Sequence, residues 1–157
     1  MRTVEFLATT EPVVGVPFVK DQKVVTLCPL KGGRPEQQDW VAYVTISTEM
    51  LNGEIEKVII SIGGDGHGGF DFAPGMVRRT IDFCRTYPGK ISTVEEVYAF
   101  RHGLVCDIQK HLFAGTINSD KGGCDKGGTT VWCMVEAPGI LAFANCGDHR
   151  VAIRKPD

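Results

Sequence analysis

Val58-Ile59-Ile60-Ser61-Ile62-Gly63-Gly64-Asp65-Gly66-His67-Gly68-Gly69 is the stretch on which the reading of this chain turns. Its first half is almost continuously apolar, which predicts a strand over 58–62 covered on both faces. Five glycines in the next seven residues predict a loop whose backbone bends sharply and comes close to another group. Upstream, Asn52-Gly53 is a two-residue turn signal, since both positions tolerate positive φ. Residues 40–48 before it are aromatic and β-branched, a strand pattern. Earlier still, 13–19 and 24–28 read as a hairpin turning at 20–23, and 29–38 as a polar loop. Downstream, a helix is expected over 70–87, with Pro74 tolerated only in its first turn. A second helix opens on two overlapping capping boxes, Ser92 with Glu95 and Thr93 with Glu96. Its apolar stripe runs through Val94, Val97, Tyr98, Leu104, Val105, Ile108 and Leu112. A Gly-rich loop over 118–128 leads to three strands at 129–136, 140–146 and 149–154, with Pro138-Gly139 turning the first into the second. Strands, two helices and strands again, without β-α alternation, give an α+β fold with mostly antiparallel pairing in one domain over 1–157.

The bulk properties narrow the classes. The chain of 157 residues is 43% hydrophobic and 23% charged, ordinary values for a globular domain. A net charge of −2 leaves no electrostatic footprint for nucleic acid or an anionic membrane. Glu5 interrupts the apolar N-terminal stretch before a signal-peptide core forms. No run reaches the roughly 18 apolar residues that a membrane span needs. The expected location is cytoplasmic or nuclear. Cys28, Cys84, Cys106, Cys124, Cys133 and Cys146 form no CxxC pair, so reduced structural cysteines are expected rather than a disulfide framework. Cys146 with His149 is the closest approach to a zinc pair, and one pair is not a four-ligand site.

Chemistry concentrates in three places. Asp65 ends a buried strand among glycines, where its carboxylate and the carbonyl of Gly66 offer the oxygen ligands that hard divalent cations prefer. His67, two residues on, suits a general acid; a tight turn with Asp65 bonded to its own backbone is the plain alternative. Gly64-x-Gly66-x-x-Gly69 also fits a dinucleotide fingerprint. That reading fails on the charge of Asp65 inside a pyrophosphate cradle and on the missing acidic strand end about 20 residues later. Arg34, Gln38 and Asp39 form the second group: Arg34 can grip a phosphate bidentately, and Asp39 can accept hydrogen bonds from water. Asp148 lies in a turn that needs no function. His102 and His111 read as surface or satisfied core histidines, and Thr129 and Thr130 as plain strand residues.

In order and wording these segments resemble the PP2C (PPM-type) family of metal-dependent protein serine/threonine phosphatases. Arg34-Pro35-Glu36-Gln37-Gln38-Asp39 looks like the family's Arg-x-x-x-Glu-Asp segment, and Asp65-Gly66-His67-Gly68-Gly69 like its Asp-Gly-His-Gly-Gly motif. Lys126-Gly127-Gly128-Thr129-Thr130 is similar to its Ser-Gly-Ser-Thr-Ala, and Ala144-Asn145-Cys146-Gly147-Asp148-His149-Arg150 to its Ala-Asn-x-Gly-Asp-Ser-Arg. The resemblance implies a sandwich of two antiparallel β-sheets flanked by α-helices, with a two-metal Mg²⁺ or Mn²⁺ centre between the sheets. It implies that Asp65 bridges the metals, that Gly66 and Gln38 bind them, and that Asp148 sits near a weaker additional one. Arg34 would hold the substrate phosphate, Asp39 would orient water, and His67 would protonate the leaving alkoxide. The partner would be a phosphorylated protein. Gln38 and His149 stand where the family has Glu and Ser. The family also brings two further aspartates after the point where this sequence ends, so an incomplete fold with weak metal occupancy is expected. The rival expectation is a truncated or degenerate phosphatase-fold module that binds a phosphoprotein or partner without cleaving it.

Overall fold

The computed structural model describes residues 2–9, 13–17, 24–27, 39–67, 72–117, 128–150 and 152. Its strands are β1 (Arg2–Thr9), β2 (Val13–Pro17), β3 (Val24–Leu27), β4 (Asp39–Glu49), β5 (Ile55–His67), β6 (Gly128–Thr129), β7 (Val131–Ala137) and β8 (Ile140–Cys146). Helices α1 (Phe72–Thr86) and α2 (Val94–Ile117) lie between β5 and β6. The main sheet has the order β1-β4-β5-β7-β8, with β6 beside the end of β5, and every pairing is antiparallel. β2 and β3 form a separate two-stranded hairpin, as the sequence predicts. The fold is therefore α+β. The described residues contain one large sheet; the second large sheet that the family resemblance implies is not among them.

Side-chain alternation explains how the sheet holds the helices. Ala42, Val44 and Ile46 of β4 stand opposite Ile62, Ile60 and Val58 of β5, and Cys133 and Val135 of β7 continue the same rows. All are buried, in one cluster with Met76, Val77, Ile81 and Cys84 of α1 and Val97, Phe100, Leu104 and Ile108 of α2. Tyr43, Thr45 and Ser61 alternate with these residues and are also buried, in keeping with a central strand pair whose run is apolar rather than alternating. Burial, and then the charge of Glu136, pushes the Tyr43 phenol up to about 12.

Local signals set the boundaries. Gly53 turns β4 into β5 at φ 80°, and Asn52 anchors that turn by accepting the Glu54 amide at 3.1 Å. Gly139 does the same between β7 and β8 at φ 72°. Of the two capping boxes, the structure uses Thr93 with Glu96: the Glu96 amide donates to Thr93 Oγ1 at 3.2 Å and the Thr93 amide to Glu96 Oε2 at 3.1 Å. Ser92 instead donates its hydroxyl to Glu56 on β5.

Three expectations need correction. The α2 stripe misses Phe100, which is fully buried, and includes Val94 and Tyr98, which are 62% and 59% exposed. Phe100 turns inward because the Phe83 and Tyr87 rings receive it, at 5.6 and 5.0 Å. Tyr98 instead lies under the Arg101 guanidinium on the surface. The expected strand over 149–154 does not form at His149, Arg150 or Ala152. Gly147 turns the chain at φ 127°, and Asn145 Nδ2 satisfies the carbonyls of Gly147 and His149 locally, so no ladder is needed there. Finally, the glycine segment is not a loop up to His67; it continues β5.

Two results follow from the packing. Arg79 on α1 grips Asp107 on α2 with Nε at 2.5 Å and Nη2 at 2.9 Å. That hydrogen-bonded guanidinium holds the Asp107 carboxyl below its usual range. A depressed carboxylate stabilises the fold above the ordinary carboxylate pKa of about 4, and that stabilisation is lost as pH falls through the lowered value. Asp107→Asn should accordingly cost about 1 kcal/mol at pH 7 and progressively less below pH ~4, read from urea midpoints at both pH values.

The described cysteines are all free thiols. Cys84 and Cys133 are buried, and burial pushes both up to about 12. Iodoacetamide should therefore label the exposed Cys106 and Cys146 and spare Cys84 and Cys133 until the chain is denatured. Native-state adducts at either buried thiol, found by peptide mass spectrometry, would contradict this packing. Among the described residues no helix is long and apolar enough to cross a membrane.

Candidate functional site

The site is built where β4 begins and β5 ends. Asp39 and Asp65 are direct register partners across the β4–β5 ladder. Strand alternation then places both on the same face, opposite the one that Ala42, Val44 and Ile62 turn toward the helices. Directly opposed residues on an antiparallel pair have Cβ atoms about 5 Å apart. Two carboxylates on one rung bring like charge and several oxygen donors together, an arrangement that favours a cation over a further anion.

Glycine at 63 and 64 is required by close approach, in extended backbone. A Cβ on Gly63 would lie 2.5 Å from the Trp132 ring nitrogen, and one on Gly64 would lie 2.4 Å from the Thr130 carbonyl oxygen. Gly64→Ala is thus expected to cost about 1–3 kcal/mol, because a backbone atom must yield; a denaturation midpoint equal to that of the parent would remove this account of the segment.

On its other side Asp65 is held by the backbone and side chain of Thr130. The Thr130 amide donates to the Asp65 carbonyl at 3.0 Å. The Asp65 amide donates to Thr130 Oγ1 at 3.1 Å, so a hydroxyl replaces the carbonyl that an antiparallel ladder would use. The Thr130 carbonyl instead accepts from Thr129 Oγ1 at 2.9 Å. The same residue bears the turn that carries Asp148: a Cβ on Gly147 would lie 2.6 Å from Thr130 Cγ2, and His149 Nε2 contacts Thr130 Oγ1.

Asp39, Asp65 and Gly66 thus share one end of the sheet, with His67 ending β5 one residue beyond. Asp148 is exposed, in a turn packed on Thr130. Arg34 and Gln38 lie outside the described residues, as does the His67 side chain. Among the described residues no three His, Cys, Asp or Glu side chains gather into a ready metal site. Thr130, Trp132 and His149 were not legible as site residues, because each acts through a neighbour distant in sequence. A cavity of about 260 Å³ lined by Arg2, Thr48, Glu56, Val58, Lys90 and Ile91, among others, opens at the opposite end of the β4–β5 pair. The nine residue steps from Asp39 to Thr48 put it roughly 30 Å away at strand rise, too far to share this chemistry.

The chain matches no protein-family model, no curated protein and no solved structure.

Proposed function

We propose that this chain is a PP2C-like, metal-dependent protein serine/threonine phosphatase domain whose centre lies on the Asp39–Asp65 rung. The observation that carries the reading is that rung: two carboxylates in direct register at the glycine-lined end of a central strand. This donor set fits a hard divalent cation, Mg²⁺ or Mn²⁺, which takes oxygen ligands and offsets paired negative charge. Asp65, Asp39 and the Gly66 carbonyl would hold it, with Gln38 and Asp148 as further oxygen donors carried over from the family resemblance. Such a cation supplies an acidified water and charge compensation for a phosphoryl group. The chain's own groups would do the rest. Asp39 accepts hydrogen bonds from the attacking water and orients it; Arg34 holds the phosphate oxygens; His67 gives its proton to the departing serine or threonine oxygen. Phosphate release from a phosphopeptide, measured across a wide Mn²⁺ range, tests the proposal, and no release at any concentration removes it.

The rival reading is a truncated or degenerate phosphatase-fold module that binds a phosphoprotein or another partner without cleaving it, through groups other than this rung. Calorimetry separates the two: micromolar Mn²⁺ binding supports the enzyme, and none supports the module.

A further inference from the structure

Two residues at which this sequence departs from the phosphatase segments it resembles touch one another. Thr130 stands at the alanine of Ser-Gly-Ser-Thr-Ala, and His149 at the serine of Gly-Asp-Ser-Arg. They are 19 residues apart in sequence, and His149 Nε2 meets Thr130 Oγ1 in a close hydrogen bond. That hydroxyl also accepts the Asp65 amide at 3.1 Å. A hydroxyl has one proton to give. Thr130 Oγ1 thus joins the Asp65 amide, from which it accepts, to the His149 ring, with which it shares one further proton according to the ring tautomer. The imidazole itself is placed by its own main chain, because Asn145 Nδ2 donates to the His149 carbonyl at 2.9 Å.

From this geometry we infer that His149 is a positioning residue for Asp65, acting through Thr130. A threonine side chain has three staggered rotamers. The one seen aims Oγ1 at the Asp65 amide while Cβ and Cγ2 pack on Gly147, where a Cβ would come within 2.7 and 2.6 Å of them. Without His149 the hydroxyl keeps one tether, the Asp65 amide, in place of two. The rotamer that swings a methyl group to the half-buried Asp65 N–H then becomes more populated. The Gly147–His149 turn thereby sets the main-chain position of the carboxylate that pairs with Asp39. The consequence for cation affinity rests on the phosphatase reading above; the hydrogen-bond relay does not.

The test uses the full chain and has two arms. In the first, amide exchange is followed by NMR in the parent, His149→Ala, His149→Gln, Thr130→Val and the Ala/Val double variant. His149→Ala and Thr130→Val should each speed exchange at Asp65 by about 10-fold, the equivalent of one lost hydrogen bond, with Val44 and Ile60 unchanged. The double variant should add nothing further. His149→Gln, whose side-chain amide reaches where Nε2 stood and can either donate or accept, should restore protection. Unchanged exchange at Asp65 in His149→Ala, or an additive double variant, overturns the relay. In the second arm Mn²⁺ is titrated by calorimetry. His149→Ala should bind about 10-fold more weakly, as when a group that orients a metal ligand is removed, and His149→Gln should bind like the parent. A parent chain that binds no Mn²⁺ overturns the metal reading alone, and the exchange arm then still decides the relay.

Discussion

Asp65→Asn is expected to lower Mn²⁺-dependent phosphate release by more than about 100-fold, since changes in groups that merely support metal ligands already cost up to that much. The fold should survive. The links between Asp65 and Thr130 use the Asp65 amide and carbonyl, which the substitution keeps. In EDTA, which strips any cation from both proteins, the variant should melt close to the parent, because the main-chain links that hold the strand end are kept. Lost turnover with preserved stability distinguishes a cation anchor from a structural carboxylate. Phosphate release at the parent rate by Asp65→Asn would leave the Asp39–Asp65 rung without a catalytic role. A large drop in melting temperature would show that Asp65 holds the strand end rather than a cation.

Phe100→Ala should cost about 3–5 kcal/mol, the range for deleting a fully buried aromatic ring. Phe100 is wholly buried and joins α2 to Phe83 and Tyr87 at the end of α1. The connection after α1 is also tied to β1, since the Arg2 guanidinium donates to the carbonyls of Tyr87 and Gly89. The cavity left by Phe100 would therefore loosen helix–helix and helix–sheet packing together. A domain of this size holds only about 5–15 kcal/mol in all, so the variant should unfold at a much lower urea concentration, followed by circular dichroism. A loss below about 1 kcal/mol, well under the range for such a deletion, would mean that α2 is not seated through this residue.

Much of the architecture was legible because it is encoded over a few residues. Asn52-Gly53 and Pro138-Gly139 are turns, Thr93 with Glu96 caps α2, and Val58 to Ile62 lie in the central strand, as their local chemistry requires. Asp65 was singled out by its glycine setting. The face it shares with Asp39 was not, because that follows from a register set over the eleven pairs joining β4 to β5.

Sequence alone determined the α+β class, the hairpins and the start of α2, because short-range backbone preferences and apolar periodicity decide all of these. Tertiary structure decided the rest. Gly63 and Gly64 stay extended because Trp132 and Thr130 occupy the space that their side chains would need. The His149 ring is set against Thr130, 19 residues back along the chain. Phe100 turns inward because two rings from α1 and the connection after it await it. Each outcome depends on atoms many residues away along the chain, and no local pattern carries that information.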